Sequence, residues 1–239
     1  MLSKSEIKYL RSLKLKKFRQ KYDQFMVEGE KTIFELCTSA YIVKKVYGVA
    51  PTRPDFLKEE IEYFSISNKD LEQISTQKTP QGLIALADIP TALNTIESNY
   101  TIALDDIQDP GNLGTIVRIA DWYGVNKVIC SNNSVDLYNP KTLAATMGSF
   151  CRVQVEYKDL NKYLKTYPNE VYACTMEGNS IYEIKPNEKG LVLIGNEGKG
   201  IKEEYIAMSN KCISIPRKGK AESLNAAIAT AIICDNLLK

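Results

Sequence analysis

Residues 213–233 read ISIPRKGKAESLNAAIATAII, and this stretch decides the fold of the second half of the chain. An apolar strand ends before Pro216, a basic turn follows, and an almost wholly apolar helix comes next. A helix without a polar face has to be buried on most sides. Ser223 is predicted to cap this helix through its side-chain oxygen. Asn225 is a polar residue in the first turn, where the sequence favours a role in a site over a role in the core.

Before that helix, residues 100–215 alternate short apolar strands with helices. Strands that are apolar on both faces are typical of a parallel sheet covered by helices, so the predicted fold class is α/β with a mostly parallel sheet. The predicted strands cover residues 100–104, 127–131, 153–155, 170–175, 191–194 and 212–215. The predicted helices cover residues 112–124, 140–149, 158–166, 203–208 and 223–238.

Two further loops of this half carry glycines and follow predicted strands. Residues 109–120 read DPGNLGTIVRIA, and residues 191–201 read LVLIGNEGKGI. Neither is the G-x-G-x-x-G dinucleotide fingerprint. The second is not a P-loop either, because a P-loop needs Lys and then Ser or Thr after its final glycine, and here Ile201 follows Gly200. Ligands of open α/β sheets bind at the carboxyl ends of strands, so both loops are candidate site loops. Glu197 in the second loop is either a turn acid or a functional acid.

The helix predicted at residues 112–124 has two distinct faces. At 100° per residue, one stripe is apolar, and Arg118 lies roughly opposite it beside Thr115 and Trp122. A tryptophan and an arginine on the far face predict that this face is covered by a partner subunit, by RNA or by both. The alternative is a surface arginine beside a partly exposed tryptophan.

The first half of the chain begins with a basic segment. Residues 1–22 contain one acidic residue, Glu6, and eight basic residues: Lys4, Lys8, Arg11, Lys14, Lys16, Lys17, Arg19 and Lys21. Such a segment could contact phosphates; a solvated basic helix is the alternative. Residues 1–90 are predicted as a small α/β domain, residues 91–99 as a linker, and residues 100–239 as the second domain. The first domain's predicted helices include 5–22, 56–60 and 70–74.

The amino-acid composition limits the kinds of protein and of catalytic site that the chain can form. The chain has 239 residues, 44% hydrophobic and 25% charged, which is typical of a globular protein. We expect neither a membrane span nor a signal peptide, because no apolar run approaches ~18 residues and no apolar segment follows the N-terminal cations. Six scattered cysteines indicate reduced thiols in the cytoplasm. The absence of histidine excludes Ser-His-Asp catalysis and His-ligated metals, and we expect no metal.

The three glycine-bearing loops together resemble the motifs of the SpoU (TrmH) family, the RNA ribose 2′-O-methyltransferases of the SPOUT class. The matching patterns are N-x-G-x-x-x-R at residues 112–118, G-N-E-G-x-G at residues 195–200, and I-P-x-x-G-x-x-E-S-L-N at residues 215–225. The V-E-G-E stretch at residues 27–30 and T-P-Q-G-L-I-A at residues 79–85 resemble the L30e-like substrate-binding domain that often precedes the catalytic domain in this family.

The resemblance implies an α/β-knot, a deep trefoil knot that binds S-adenosylmethionine, in a protein that acts on structured RNA as a homodimer. By motif position the cofactor contacts come mainly from backbone groups of Thr175, Gly178, Ile194, Gly195, Ile215, Ser223 and Leu224. Arg118 matches the arginine that positions ribose and phosphate. Ser223 and Asn225 are expected to orient the ribose or Arg118, and Asn112 and Glu197 to support the site.

Other functions stay open at this point. A non-catalytic RNA-binding protein would suit the basic N-terminus, but it would not need Arg118, Glu197, Ser223 and Asn225. A SPOUT enzyme that methylates a base is a second alternative, although the E-S-L-N signature favours ribose. A nucleotide-binding oxidoreductase is disfavoured by the missing fingerprint. Ribosomal RNA is favoured over transfer RNA because an accessory N-terminal domain is commoner among the ribosomal enzymes of the family.

Overall fold

The computed structural model describes residues 2–91 and 98–238, which form two compact units. The first contains residues 2–91 and Asp136–Arg152, and the second contains residues 98–135 and 153–238. Most of the predicted linker, residues 92–97, lies outside the described residues. The prediction assigned residues 136–152 to the second domain, whereas in the structure they pack with the first unit. The physical reason is an aromatic cluster in which Tyr138 and Phe150 contact Phe25.

The first unit is a four-stranded sheet with helices around it. Its strand order is β1-β4-β2-β3, with antiparallel pairs except for the parallel β2 and β3. Its strands are β1 (Gln24–Glu28), β2 (Val43–Gly48), β3 (Glu62–Ser65) and β4 (Leu83–Asp88). Its helices are α1 (Lys4–Ser12), α2 (Lys16–Tyr22), α3 (Glu30–Thr38), α4 (Asn68–Ile74) and α6 (Pro140–Thr146).

Two predicted helices of this unit are wrong. The helix predicted at residues 5–22 is two helices, because the chain turns at Leu13, whose side chain is buried and whose carbonyl accepts a hydrogen bond from the buried Arg19. The helix predicted at residues 56–60 is a series of turns. There the Arg53 guanidinium donates to the carbonyls of Leu57 and Ile61, bonds that hold the segment in a loop.

The second unit is built on a six-stranded sheet in the order β10-β8-β9-β5-β6-β7, and every pairing in it is parallel. The predicted parallel sheet is confirmed. Its strands are β5 (Tyr100–Leu104), β6 (Lys127–Ser131), β7 (Gln154–Lys158), β8 (Glu170–Ser180), β9 (Gly190–Ile194) and β10 (Lys211–Ser214). Its helices are α5 (Pro110–Trp122), α7 (Leu160–Lys165), α8 (Glu203–Ala207) and α9 (Ala226–Leu237).

The core of the second unit lies against its central strands. Every residue of β5 and β9 is buried, as expected for strands covered on both faces. Helices α5 and α9 pack against each other, and α9 buries Ala226, Ala227 and Thr230. Since the strands are parallel, their carboxyl ends share one edge, and the three glycine-bearing loops begin there. None of the described helices is long and apolar enough to cross a membrane.

Candidate active site

A chain of side-chain hydrogen bonds joins the three motifs. The Asn225 amide Nδ2 donates to Asn112 Oδ1 at 2.8 Å, and the Asn112 Nδ2 donates to Glu197 Oε1 at 2.7 Å. Asn112 lies in the first turn of α5, Glu197 in the loop after β9, and Asn225 at the start of α9, so these two bonds bring the three motifs together at the edge of the sheet. We call this chain the relay.

Helix caps fix both asparagines of the relay. Asp109 caps α5 by accepting from the Asn112 backbone N–H at 2.9 Å, and Pro110 begins the helix. Asn225 caps α9, because its Oδ1 accepts from the N–H groups of Ala227 and Ile228. The prediction of Ser223 as the cap was wrong, since the helix begins three residues later. The cap orients the Asn225 amide, which leaves only its Nδ2 to donate to Asn112.

The loop after β9 is held by backbone pairing and by its own asparagine. Asn196 and Gly200 form an antiparallel bridge. The Asn196 Oδ1 accepts from the N–H groups of Gly198 and Lys199, while its Nδ2 donates to the Asp106 carbonyl at 2.7 Å. A Cβ on Gly195 would lie 2.3 Å from the Gly200 carbonyl carbon, so only glycine fits there. This tight loop places the Glu197 carboxylate where it accepts the hydrogen bond from Asn112.

Strand β8 carries a bulge opposite β10. Ala173 pairs with Cys212, but the next pair along β10 is Ile213 with Asn179, so residues 174–178 leave the ladder. A Cβ on Gly178 would lie 2.7 Å from the Cys212 carbonyl oxygen. The predicted cofactor residues Thr175 and Gly178 lie in this bulge.

The remaining predicted site residues lie around the same edge. Ile194 is the buried last residue of β9, and Ile215 is half-buried just after β10. Ser223 and Leu224 are exposed in the segment before α9. Arg118 is exposed six residues beyond Asn112 on α5, and it has no hydrogen bond to the relay among the described residues. The structure therefore joins Asn112, Glu197 and Asn225, and leaves Arg118 and Ser223 free of them.

Sequence reasoning missed two polar residues that organise this edge. Asn196 shapes the glycine loop, and an Asn two positions before a Gly is a signal for such a turn. Asp105 follows β5 directly and is 1% exposed, and its Oδ2 accepts from the Lys202 backbone N–H at 3.1 Å. The only signal for Asp105 was the acidic end of the preceding strand.

Three buried or partly buried cysteines of this unit, Cys130, Cys174 and Cys234, are poor nucleophiles. Burial raises the pKa of the thiols of Cys130 and Cys234 to about 12. Burial also raises the pKa of Cys174 well above its ordinary value. Since the thiolate is the reactive form, these side chains stay protonated near neutral pH. No cluster of metal-ligating side chains occurs within residues 2–91 and 98–238.

The arrangement fits a nucleoside cofactor held by backbone groups. The residues implied as cofactor contacts lie in the bulge of β8, at the end of β9 and after β10, three strands that are adjacent in the sheet in the order β10-β8-β9. Backbone atoms approach one another closely at Gly178 and Gly195, so N–H and C=O groups are presented without intervening side chains. Ligands of parallel α/β sheets bind at this edge. The second unit is therefore a ligand-binding α/β domain.

Comparison with known proteins identifies the family. The SpoU rRNA Methylase family matches residues 99–235, and an MRM3-like substrate binding domain matches residues 4–85. The chain belongs to the SpoU rRNA methylase family. The predicted class, an S-adenosylmethionine-dependent RNA 2′-O-methyltransferase, is confirmed.

Individual relatives match over nearly the whole chain. The chain is 32% identical over 237 residues to the Bacillus subtilis 23S rRNA (guanosine(2553)-2′-O)-methyltransferase RlmP, covering 97% of this chain and 95% of the relative. It superposes with a TM-score of 0.86, at 37% identity and 99% and 98% coverage, on a Porphyromonas gingivalis protein assigned to the TrmH family. An S-adenosylmethionine-bound rRNA methyltransferase from Sinorhizobium meliloti superposes with a TM-score of 0.87, at 25% identity and 99% and 95% coverage.

Proposed function

We propose that this chain methylates a ribose 2′-hydroxyl of ribosomal RNA, with the relay and Arg118 forming its active site. The observation that carries the proposal is the pair of hydrogen bonds that links Asn225, Asn112 and Glu197 across three separate loops. Relatives named as ribosomal RNA 2′-O-methyltransferases support ribosomal RNA as the substrate.

S-adenosylmethionine, when bound, supplies an electrophilic methyl group on a sulfonium. Its proposed contacts are backbone groups in the bulge of β8, at the end of β9, and between β10 and α9: Thr175, Gly178, Ile194, Gly195, Ile215, Ser223 and Leu224. No metal is assigned to the reaction. The protein's own task is to place a ribose hydroxyl in line with that methyl group, while the proton that the hydroxyl loses passes to water or to a phosphate oxygen of the RNA. Positioning alone lowers a barrier by several kcal/mol.

Arg118 is proposed to clamp the phosphate next to the target ribose. Its guanidinium is exposed on α5 and can present a planar fork of N–H donors to phosphate oxygens. An arginine stays protonated in proteins, so it orients the hydroxyl and stabilises the developing negative charge rather than removing the proton itself. Base action would require a phosphate or a partner subunit to perturb it.

The relay is proposed to hold the loops in register. Capping of α9 fixes the orientation of the Asn225 amide, and the bond from Asn225 fixes the orientation of the Asn112 amide. Asn112 then donates to one oxygen of Glu197. Ser223 lies two residues before Asn225 and is exposed, so its hydroxyl is available to the ribose.

The first unit is proposed to bind the RNA around the modified nucleotide. The structure sorts the cations of its N-terminal segment into two groups. Arg19 is buried and pairs with Asp136, and Lys14 donates to the Ser75 carbonyl. The others are exposed: Lys4, Lys8, Arg11, Lys16, Lys17 and Lys21. Lys4, Lys8 and Arg11 follow at helical spacing on one face of α1, which suits a phosphate backbone.

A homodimer and an α/β-knot complete the proposal. The support for a dimer is an apolar surface on two helices that contact each other: Trp122 of α5 is 83% exposed and Ile228 of α9 is 55% exposed. Exposed apolar surface of this kind marks interaction sites. The knot and the cytoplasmic location stay predictions, the knot resting on the family resemblance.

The test is a map of ribose methylation over total RNA from cells with and without the gene. We expect one ribosomal RNA nucleotide to lose its 2′-O-methyl group in the absence of the gene and to regain it with the purified protein and S-adenosylmethionine. A map in which no ribosomal nucleotide changes, or in which a transfer RNA or a base methylation changes instead, would contradict the proposal.

A further inference from the structure

Asp105 makes hydrogen bonds to residues on either side of the glycine loop that follows β9. Its backbone N–H donates to the Ile194 carbonyl at 2.9 Å, which joins the ends of β5 and β9. Its Oδ2 accepts from the Lys202 N–H, just beyond the loop, and the carbonyl of its neighbour Asp106 accepts from Asn196 within the loop. Asp105 therefore lies next to Ile194 and Gly195, two of the proposed cofactor contacts.

The charge of Asp105 is poorly compensated within the described chain. The side chain is 1% exposed, and its Oδ1 has no hydrogen-bond partner among the described residues. The nearest cation is the Lys202 ammonium, 3.7 Å from Oδ1 on a side chain that is 48% exposed, so water competes for it. Burial raises the pKa of this carboxyl, while the bond from the Lys202 N–H and the charge of Lys202 lower it.

The ion pair with the half-exposed Lys202 offsets only part of the cost of burying a carboxylate at this position. A buried charge with one hydrogen bond is destabilising unless it is paired. A neutral asparagine would present the same oxygen to the Lys202 N–H without burying a charge. The remaining contribution of a carboxylate here is a negative potential at the ligand-binding edge of the sheet.

We propose that the negative charge of Asp105 makes the cofactor pocket prefer the positively charged sulfonium of S-adenosylmethionine over the neutral thioether of its demethylated product, S-adenosylhomocysteine. The inference rests on the proposed cofactor contacts at Ile194 and Gly195. The two ligands differ by a methyl group and one unit of charge, and a nearby carboxylate favours the cation. Such a preference lets the product leave and the next cofactor bind.

Asp105→Asn tests the charge with little change of shape. We expect calorimetry on the full chain, at about pH 8 where carboxylates are ionised, to show S-adenosylmethionine bound roughly fivefold more weakly. S-adenosylhomocysteine should bind within about twofold of the wild type. Equal weakening of both ligands, or weakening of neither, would overturn the proposal. Asp159→Asn is the matched control, because that carboxylate caps α7 and is 48% exposed, so the affinity ratio should not move.

Lys202→Met gives an independent test that does not depend on the folding of the Asp105 variant. It keeps the backbone N–H that Asp105 accepts but removes the compensating ammonium. We expect the preference for S-adenosylmethionine to increase by roughly twofold or more; an unchanged or smaller preference would contradict the role of the charge. If the wild-type chain binds neither ligand, the proposed cofactor site fails. If it binds both and methylates RNA without these shifts, only the inference about Asp105 fails.

Discussion

At the scale of single residues, a substitution of Arg118 should impair the positioning of RNA without impairing the binding of the cofactor. Arg118 is exposed on α5 and has no hydrogen bond to the relay among the described residues. We expect Arg118→Ala to lower the methylation rate by about a hundredfold or more while leaving S-adenosylmethionine affinity nearly unchanged. Arg118→Lys should recover only part of the loss, because an ammonium lacks the planar fork. Single-turnover assays with calorimetry on each variant check this, and a variant that keeps most of its activity would refute the assigned role.

At Gly195, in the loop after β9 that is proposed to hold the cofactor, two backbone segments lie very close together. An added Cβ would lie 2.3 Å from both the Gly200 carbonyl carbon and the Ile201 nitrogen, and neither backbone atom can move without moving the loop. We expect Gly195→Ala to destabilise the fold by about 1–3 kcal/mol and to weaken cofactor binding. Gly198→Ala in the same loop is the control for stability, since its Cβ would meet only Asn196 Oδ1 at 3.7 Å. Thermal unfolding of both variants decides; equal unfolding temperatures would contradict the steric argument.

At the scale of elements, helix α9 depends on one side chain that also belongs to the relay. Asn225→Asp keeps an oxygen for the N–H groups of Ala227 and Ile228 but removes the donor to Asn112. If the Asn112 amide flips to donate to the new carboxylate, it loses its bond to Glu197, so one relay bond fails in either case. We expect Asn225→Asp to unfold near the wild-type temperature and to lose about tenfold or more in rate.

The matched variant Asn225→Ala removes the cap as well. Loss of an N-cap costs about 1 kcal/mol, which corresponds to roughly 2–4 °C in unfolding temperature for a chain of this size. Asn225→Ala should therefore lose both stability and rate, whereas Asn225→Asp loses rate only. A drop in unfolding temperature shared equally by the two variants would show that the relay, rather than the cap, holds the start of α9.

Helices and strands could be predicted where the local sequence pattern and the tertiary environment favour the same secondary structure. Strand β6 has the predicted bounds, Lys127–Ser131, because a continuous apolar run fits a strand buried on both faces. The break between α1 and α2 was not predictable, because it depends on Arg19 donating to the Leu13 carbonyl. The start of α9 was misplaced because both Ser223 and Asn225 can cap a helix; in the structure Asn225 caps it and also donates to Asn112, a distant residue that local pattern does not reveal.

The candidate site was predictable as a set of loops but not as a set of contacts. Parallel strands bring their carboxyl ends to one edge, and the family resemblance supplied the residues. The relay bonds join residues 85 and 113 positions apart, which no local pattern can pair. Asn196 and Asp105 were missed because their partners are mainly backbone groups, so the sequence offered only a turn signal for Asn196 and an acidic strand end for Asp105.

At the scale of the whole molecule, the proposed homodimer rests on the exposed apolar side chains Trp122 of α5 and Ile228 of α9. Trp122 lies one turn beyond Arg118 on the exposed face of α5, so a second copy that covers Trp122 would also border the phosphate clamp. A proposed homodimer thus links assembly to activity, because a surface that buries the tryptophan would help to order the arginine.

Trp122→Glu tests that link. Burying a carboxylate without a partner in the interface is strongly unfavourable. We therefore expect the molecular mass measured by light scattering to fall from about twice the chain mass of 26.9 kDa to the mass of one chain. Methylation should fall with it, while Trp122→Phe keeps both. Tyr182→Glu is the control, since Tyr182 is 65% exposed on a different segment. A wild-type chain that is monomeric at every concentration would refute the dimer, and a monomeric variant with full activity would show that Arg118 works without a partner.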